Sequence, residues 1–128
     1  MADERSDEDK IGQILRRDPR YTREAYRFIQ ESLEFTRRGL KRKGHVSCRE
    51  LAEGVRDLAR ERFGLMAKTV LNQWGVRATQ DIGNLVFNMI AEKIMVKRDA
   101  DSPEAFSGVY DFDQAFEQDF RIEVEGGS

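Results

Sequence analysis

The sequence has one cysteine, one histidine, one tryptophan and two prolines among its 128 residues. Each scarcity removes a class of protein. A single cysteine excludes an internal disulfide, and one Cys with one His falls short of the usual Cys/His zinc sets. No apolar run approaches the roughly 20 residues needed to cross a bilayer. The first residues, MADERSDEDK, are acidic where a secretory signal is basic and then apolar, so the expected location is the cytoplasm. No carboxylate pair at catalytic spacing, no Gly-rich phosphate loop and no Ser/His/Asp set is visible, and one His cannot fill several catalytic roles. The expectation is a protein that is not an enzyme and needs no cofactor or metal.

What is present is charge, in unusual order. Charged residues make up 36% of the chain and hydrophobic ones 39%, a balance that suits one soluble domain with one core. The net charge of −2 conceals a segregation. Residues 1–9 hold five acids and one Arg, residues 10–43 hold eleven basic and four acidic side chains, and residues 99–128 hold nine acids and one Arg. Such asymmetry marks either a polyanion-binding face or acidic ends that fold back on a basic helix.

The densest apolar stretch, Gly64 to Lys97, contains the only Trp and reads as helix, tight turn, helix. Val70, Leu71 and Trp74 recur at helical spacing, and Gly75 followed by Val76 is a glycine-then-aliphatic helix ending. Thr79 offers a cap, and Ile82, Leu85, Val86, Met89, Ile90 and Ile94 face a core. Trp74 is expected to be largely buried among Leu71, Val86 and Ile90.

Earlier in the chain, residues 1–9 have almost nothing apolar and are expected to form a mobile acidic tail. Ile11, Ile14 and Leu15 supply a short amphipathic helix that Pro19 stops. Thr22 caps the next helix, with Ala25, Tyr26, Phe28, Ile29, Leu33 and Phe35 on its apolar face and Gly39 at its end. Ser47 and Glu50 form a capping-box pattern ahead of Leu51, Val55, Leu58, Ala59 and Phe63, with Gly64 as the stop. After residue 97 the rhythm changes. In SGVYDFD the aromatic side chains alternate as on a strand, so a small two-stranded hairpin is expected, followed by a short helix capped by Asp113 and by docking of Phe120 and Ile122. The expected fold is mostly α: a single domain of about four to five helices over residues 10–122 with a small C-terminal β-hairpin, in an order compatible with a winged helix. Residues 123–128 are expected to be a disordered tail.

The segments GHVSCRELAEGVRDLARERFG, LMAKTVLNQWGV and VYDFDQAF resemble the Minf-type family of small uncharacterised bacterial proteins, a domain of unknown function. The resemblance runs from about Asp18 to Phe120. It implies a bacterial cytoplasmic domain and carries over no activity, cofactor or catalytic residue.

Candidate sites therefore rest on the residues themselves. Gln80, Asp81, Asn84, Asn88, Glu92 and Lys93 form the polar back of the helix after Thr79; Asn and Gln can read adenine, but two acids suit phosphate poorly. A better polyanion face is Arg16, Arg17, Arg20, Arg23 and Arg27, continued by Arg37, Arg38, Lys41, Arg42 and Lys43, with Tyr21 placed for stacking. The competing assignment is a solvated face with ordinary helix pairs: Arg20 with Glu24, Glu34 with Arg38, Arg49 with Glu53. Cys48, near His45 and Arg49 at a helix start, is either an activated thiol or a small inert residue at a cap. Phe106, Tyr110, Phe112 and Phe116, with Phe120, either complete the core or present an acidic aromatic surface to a partner. The function expected is a non-catalytic binding module or adaptor for a protein partner, with nucleic-acid binding through the Arg-rich face or a winged-helix region as the alternative.

Overall fold

A computed structural model describes residues 4–40, 44–97 and 101–118. Five α-helices account for most of them: α1 (Asp7–Arg17), α2 (Arg23–Leu40), α3 (Cys48–Phe63), α4 (Ala67–Gln73) and α5 (Thr79–Ala91). The helix α1 starts inside the stretch 1–9 assigned to a tail. Ser6 Oγ accepts from the Asp9 amide at 3.1 Å, and Asp7, Glu8 and Asp9 place negative charge where the helix dipole favours it. Ile11 and Ile14 are fully buried, and the helix ends at Arg17, just before the Asp18-Pro19 pair.

The packing of α2 on α3 is close because of two residue choices. The buried hydroxyls of Ser32 and Thr36 turn back to the carbonyls of Phe28 and Ser32, both at 2.7 Å, so neither is left without a partner. Opposite them α3 carries Gly54, and a Cβ there would lie 1.8 Å from Thr36 Oγ1. The α3 N-terminus is held by the expected capping box, in which Ser47 Oγ accepts from the Glu50 amide and Glu50 Oε1 from the Ser47 amide. Its far end closes at Gly64, with φ of 56°.

Helix α4 ends as its sequence indicates. With Gly75 at φ 96°, the Val76 amide donates to Leu71 O at 2.9 Å and the Gly75 amide to Asn72 O at 3.0 Å, the paired bonds of a Schellman motif. The corner packs tightly: the Thr22 amide donates to Trp74 O at 3.2 Å, and a Cβ on Gly75 would meet Arg20 O at 2.2 Å. Trp74 itself is half-buried, where it was expected to be largely buried, and its ring stands against Phe28 and Phe63, with centroids 5.5 and 5.7 Å away.

The cap of α5 also differs from the expected one. Asp81, not Thr79, accepts from the amides of Arg77 and Ala78, at 2.9 and 3.1 Å. Thr79 is the first helical residue, buried, and its hydroxyl accepts from the Val109 amide at 3.2 Å. The expected run to Ile94 stops at Ala91, because Lys93 turns left-handed at φ 63° and the Ile94 amide returns to Met89 O at 2.8 Å.

The C-terminal β-hairpin is absent: among the described residues there is no strand, and the winged-helix arrangement falls with it. Residues Pro103–Phe106 form a 3-10 turn and Gln114–Gln118 a π-helical turn. The alternating aromatics have a different use. Phe106, Phe112 and Phe116 are 1%, 5% and 1% exposed, which puts them in the core rather than on the face of a two-stranded ladder. Gly108, at φ 64°, breaks the extended run, and Asp111, not Asp113, caps the last turn through the Gln114 amide at 3.0 Å. The Tyr110 hydroxyl donates to Ala52 O at 2.8 Å, and the Arg60 guanidinium donates to Ala115 O, so side chains rather than a backbone ladder hold this segment to α3. The expected docking of Phe120 and Ile122, and the tail 123–128, lie outside the described residues.

Candidate functional site

Each candidate surface consists of polar or aromatic side chains, so the partners those side chains already have decide what remains for a ligand. The polar back of α5 is occupied. The Tyr21 hydroxyl donates to Asp81 Oδ1 at 2.5 Å and accepts from Asn84 Nδ2 at 2.9 Å. Asn88 Nδ2 donates to Asp18 Oδ2 and to the Tyr26 hydroxyl, at 2.9 and 3.0 Å. Gln80 accepts from the Ser107 hydroxyl, and Glu92 accepts from Arg17 at 3.0 Å and pairs with Arg5 at 3.2 Å. Burial and the bond to Asp81 push the Tyr21 phenol up to about 12. A helix whose Asn and Gln side chains are committed to its own fold presents no base-reading edge.

The Arg-rich face divides in two. Its first half is neutralised from within. Glu8 receives a two-nitrogen fork from Arg27 at 2.8 and 2.9 Å and a further bond from Arg23 at 2.8 Å. The bonds from Arg27 and Arg23 hold its carboxyl down at about 2. Asp18 takes Arg20 at 2.7 Å, in place of the Arg20–Glu24 pair, and the same contact holds its carboxyl well below the usual range. Arg17 is on Glu92, whereas Arg16 is exposed on α1. Of the helix pairs expected, Arg49–Glu53 is present at 3.8 Å. The C-terminal acids go elsewhere: Asp113 and Glu117 flank Lys68 at 2.6 and 3.1 Å.

The second half behaves differently. Arg37 and Arg38, in the last turn of α2, are exposed, and among the described residues no carboxylate pairs with them or with Lys93 and Lys97. Lys41, Arg42 and Lys43 follow in the sequence and lie outside the described residues.

Arg37 borders a cavity of about 240 Å³ that the sequence did not reveal. It lies between the C-terminal half of α2, the start of α3, the end of α5 and the segment around Asp101. Leu33, Leu51, Val86, Ile90, Ile94 and Met95 make its apolar wall, and Val96, 77% exposed, stands at its mouth. Three polar side chains meet on the other wall. Asp101 Oδ1 is 3.1 Å from His45 Nε2 and accepts from Cys48 Sγ at 3.5 Å. In this order the carboxylate, rather than the imidazole, is next to the sulfur. Burial and the neighbouring Asp101 charge push the Cys48 thiol up, the reverse of what an activated nucleophile needs. Among the described residues no group of three or more His, Cys, Asp or Glu is arranged to hold a metal ion.

The proposed aromatic partner surface is not a surface: Phe106, Phe112 and Phe116 are core residues, and Tyr110 stacks on Phe112 with centroids 5.9 Å apart. The sequence signal that could have pointed to the groove is the run Ile94, Met95 and Val96 just after α5, more apolar than a helix exit requires. Among the described residues no helix is long and apolar enough to cross a membrane. No family model, no curated protein and no solved structure matches the chain.

Proposed function

We propose that this protein is a non-catalytic binding module that takes an apolar side chain of a protein partner into the groove between α2, α3 and the end of α5. The observation that carries this is the groove itself, an apolar wall faced by polar groups that already bond one another. At about 240 Å³ it falls below the roughly 300–1,000 Å³ typical of drug-sized ligand sites. It suits a side chain or two, as an interface anchor does, better than a cofactor. A raised Cys48 thiol, tied to Asp101, supports binding over chemistry. The nucleic-acid alternative loses support where Glu8, Asp18 and Glu92 engage Arg17, Arg20, Arg23 and Arg27. The cytoplasmic setting and the kinship with the Minf-type bacterial family belong to the same proposal and rest on the sequence segments that carry them.

Selection of short displayed peptides against the full chain tests this. Selected peptides are expected to bind with micromolar affinity and to lose about tenfold or more with Val96→Glu, a change at an exposed position that leaves the melting temperature alone. Binders indifferent to Val96→Glu would overturn the groove as the site.

A further inference from the structure

The basic segment of the chain is not uniformly basic once folded. Arg17, Arg20, Arg23 and Arg27 are matched by Glu92, Asp18 and Glu8, whereas Arg37, Arg38, Lys93 and Lys97 have no carboxylate paired with them among the described residues. Arg16 and Arg77 are exposed and likewise have no carboxylate paired with them among the described residues, but of the unmatched cations it is Arg37 that lines the groove. The exposed Arg38 follows Arg37 in the chain, and the exposed Lys97 follows Val96, which stands at the groove mouth. The one carboxylate in the lining, Asp101, is engaged by His45 and Cys48. The groove is therefore apolar inside, with the unmatched Arg37 guanidinium at its edge and Lys97 one residue beyond its mouth in the chain.

We propose that the segment it takes is acidic and amphipathic: an apolar side chain enters against Leu51, Ile90 and Met95 while flanking carboxylates of the same segment meet Arg37, Arg38 and Lys97. This rests on the groove being a protein site. Charge complementarity selects the partner, because carboxylates next to the anchor gain from an unmatched guanidinium, and basic neighbours are repelled. Single-stranded nucleic acid fits less well. Readers of unpaired bases offer exposed aromatic platforms; in the lining Phe106 is 1% exposed and the His45 imidazole is engaged by Asp101 at 3.1 Å.

The test uses the full chain and four labelled probes in fluorescence anisotropy: an amphipathic peptide with Leu at helical spacing and Glu between, the same peptide with Gln for Glu, the same with Lys for Glu, and an oligothymidine. The Glu peptide is expected to bind about tenfold tighter than the Gln peptide, and the Lys peptide weakest. Raising salt is expected to shrink the Glu-over-Gln preference. The double variant Arg37→Glu/Lys97→Glu, at two exposed positions, is expected to bring the Glu peptide down to the Gln level without weakening the Gln peptide. If that variant melts early, Arg37→Gln/Lys97→Gln gives the same comparison with half the charge change.

Equal binding of the Glu and Gln peptides, both lost in Val96→Glu, would overturn the acidic preference and leave the groove as a protein site. No binding of any peptide would overturn both. Oligothymidine binding that disappears in the double variant would overturn the acidic-segment proposal in favour of a nucleic-acid ligand.

Discussion

The Tyr21 hydroxyl and the Asp81 carboxylate meet at 2.5 Å, joining the turn before α2 to the first turn of α5. Asp81 is doubly used, because its second oxygen accepts from the amides of Arg77 and Ala78 and so starts the helix. One carboxylate thus caps α5 and fixes where the chain between α1 and α2 lies upon it.

Tyr21→Phe removes a bond to a charged acceptor and leaves Asn84 without its phenolic partner. A loss of about 1–3 kcal/mol is expected in chemical denaturation with an unchanged slope. A variant as stable as the parent would show that water replaces the phenol at no cost.

Gly54→Ala should have the opposite sign from a glycine replacement in an exposed helix. There alanine gains about 1 kcal/mol. Here the new Cβ would lie 1.8 Å from Thr36 Oγ1 and 3.1 Å from Thr36 Cβ, so a loss of about 1–3 kcal/mol is expected. Adding Thr36→Ala to Gly54→Ala removes the nearer atom and should recover part of that loss, which a double-mutant cycle would read as a favourable coupling.

Glu8 makes stability depend on acid in a defined window. Its carboxyl lies at about 2 in the folded chain against 4.5 ordinarily, because Arg27 and Arg23 bond its ionised form. A depressed value means that the contribution is complete above about pH 4.5 and is lost as pH falls through about 2. Melting of the parent and Glu8→Gln should therefore differ at pH 5 and converge near pH 2. A difference that persists at pH 2 would assign the effect to packing of α1 instead.

Nucleic acid is expected not to be retained on the full chain at about 0.1 M salt, where a Debye length of roughly 10 Å still permits close contacts. Tight binding with a steep salt dependence, abolished by changing Arg20, Arg23 and Arg27 to Glu, would reverse the order of the two functional readings.

Local signals in the sequence were good guides where the physics is local. Ser47 with Glu50, Thr22, and Gly75 with Val76 each bring capping atoms within a few residues of the groups they satisfy, and each behaves as its neighbours dictate. The hairpin misled because alternation of Val109, Tyr110, Asp111 and Phe112 fits a strand and equally fits an irregular segment pinned by Tyr110 to Ala52 and by Val109 to Thr79. Nothing within that segment distinguishes the two; the acceptors lie on other helices. Arg20 chose Asp18 over Glu24 because the Asp18-Pro19 turn brings a carboxylate to both its amide and its guanidinium, at 3.2 and 2.7 Å. The groove was hidden for a simpler reason. It depends on α5 ending early at Ala91, ahead of Lys93, a left-handed lysine that no sequence rule favours.

The contact of the Gly75 corner with the stretch from Arg20 to Thr22 bears on how the molecule loosens. The Thr22 amide is bonded to Trp74 O, and the Gly75 backbone lies too near Arg20 O to admit even a methyl group. Two turns distant in the chain are thereby fastened at one point, and neither can fray while the other stays shut. In amide hydrogen exchange the Thr22 and Val76 protons should accordingly be released at a common rate, as members of one cooperative opening unit.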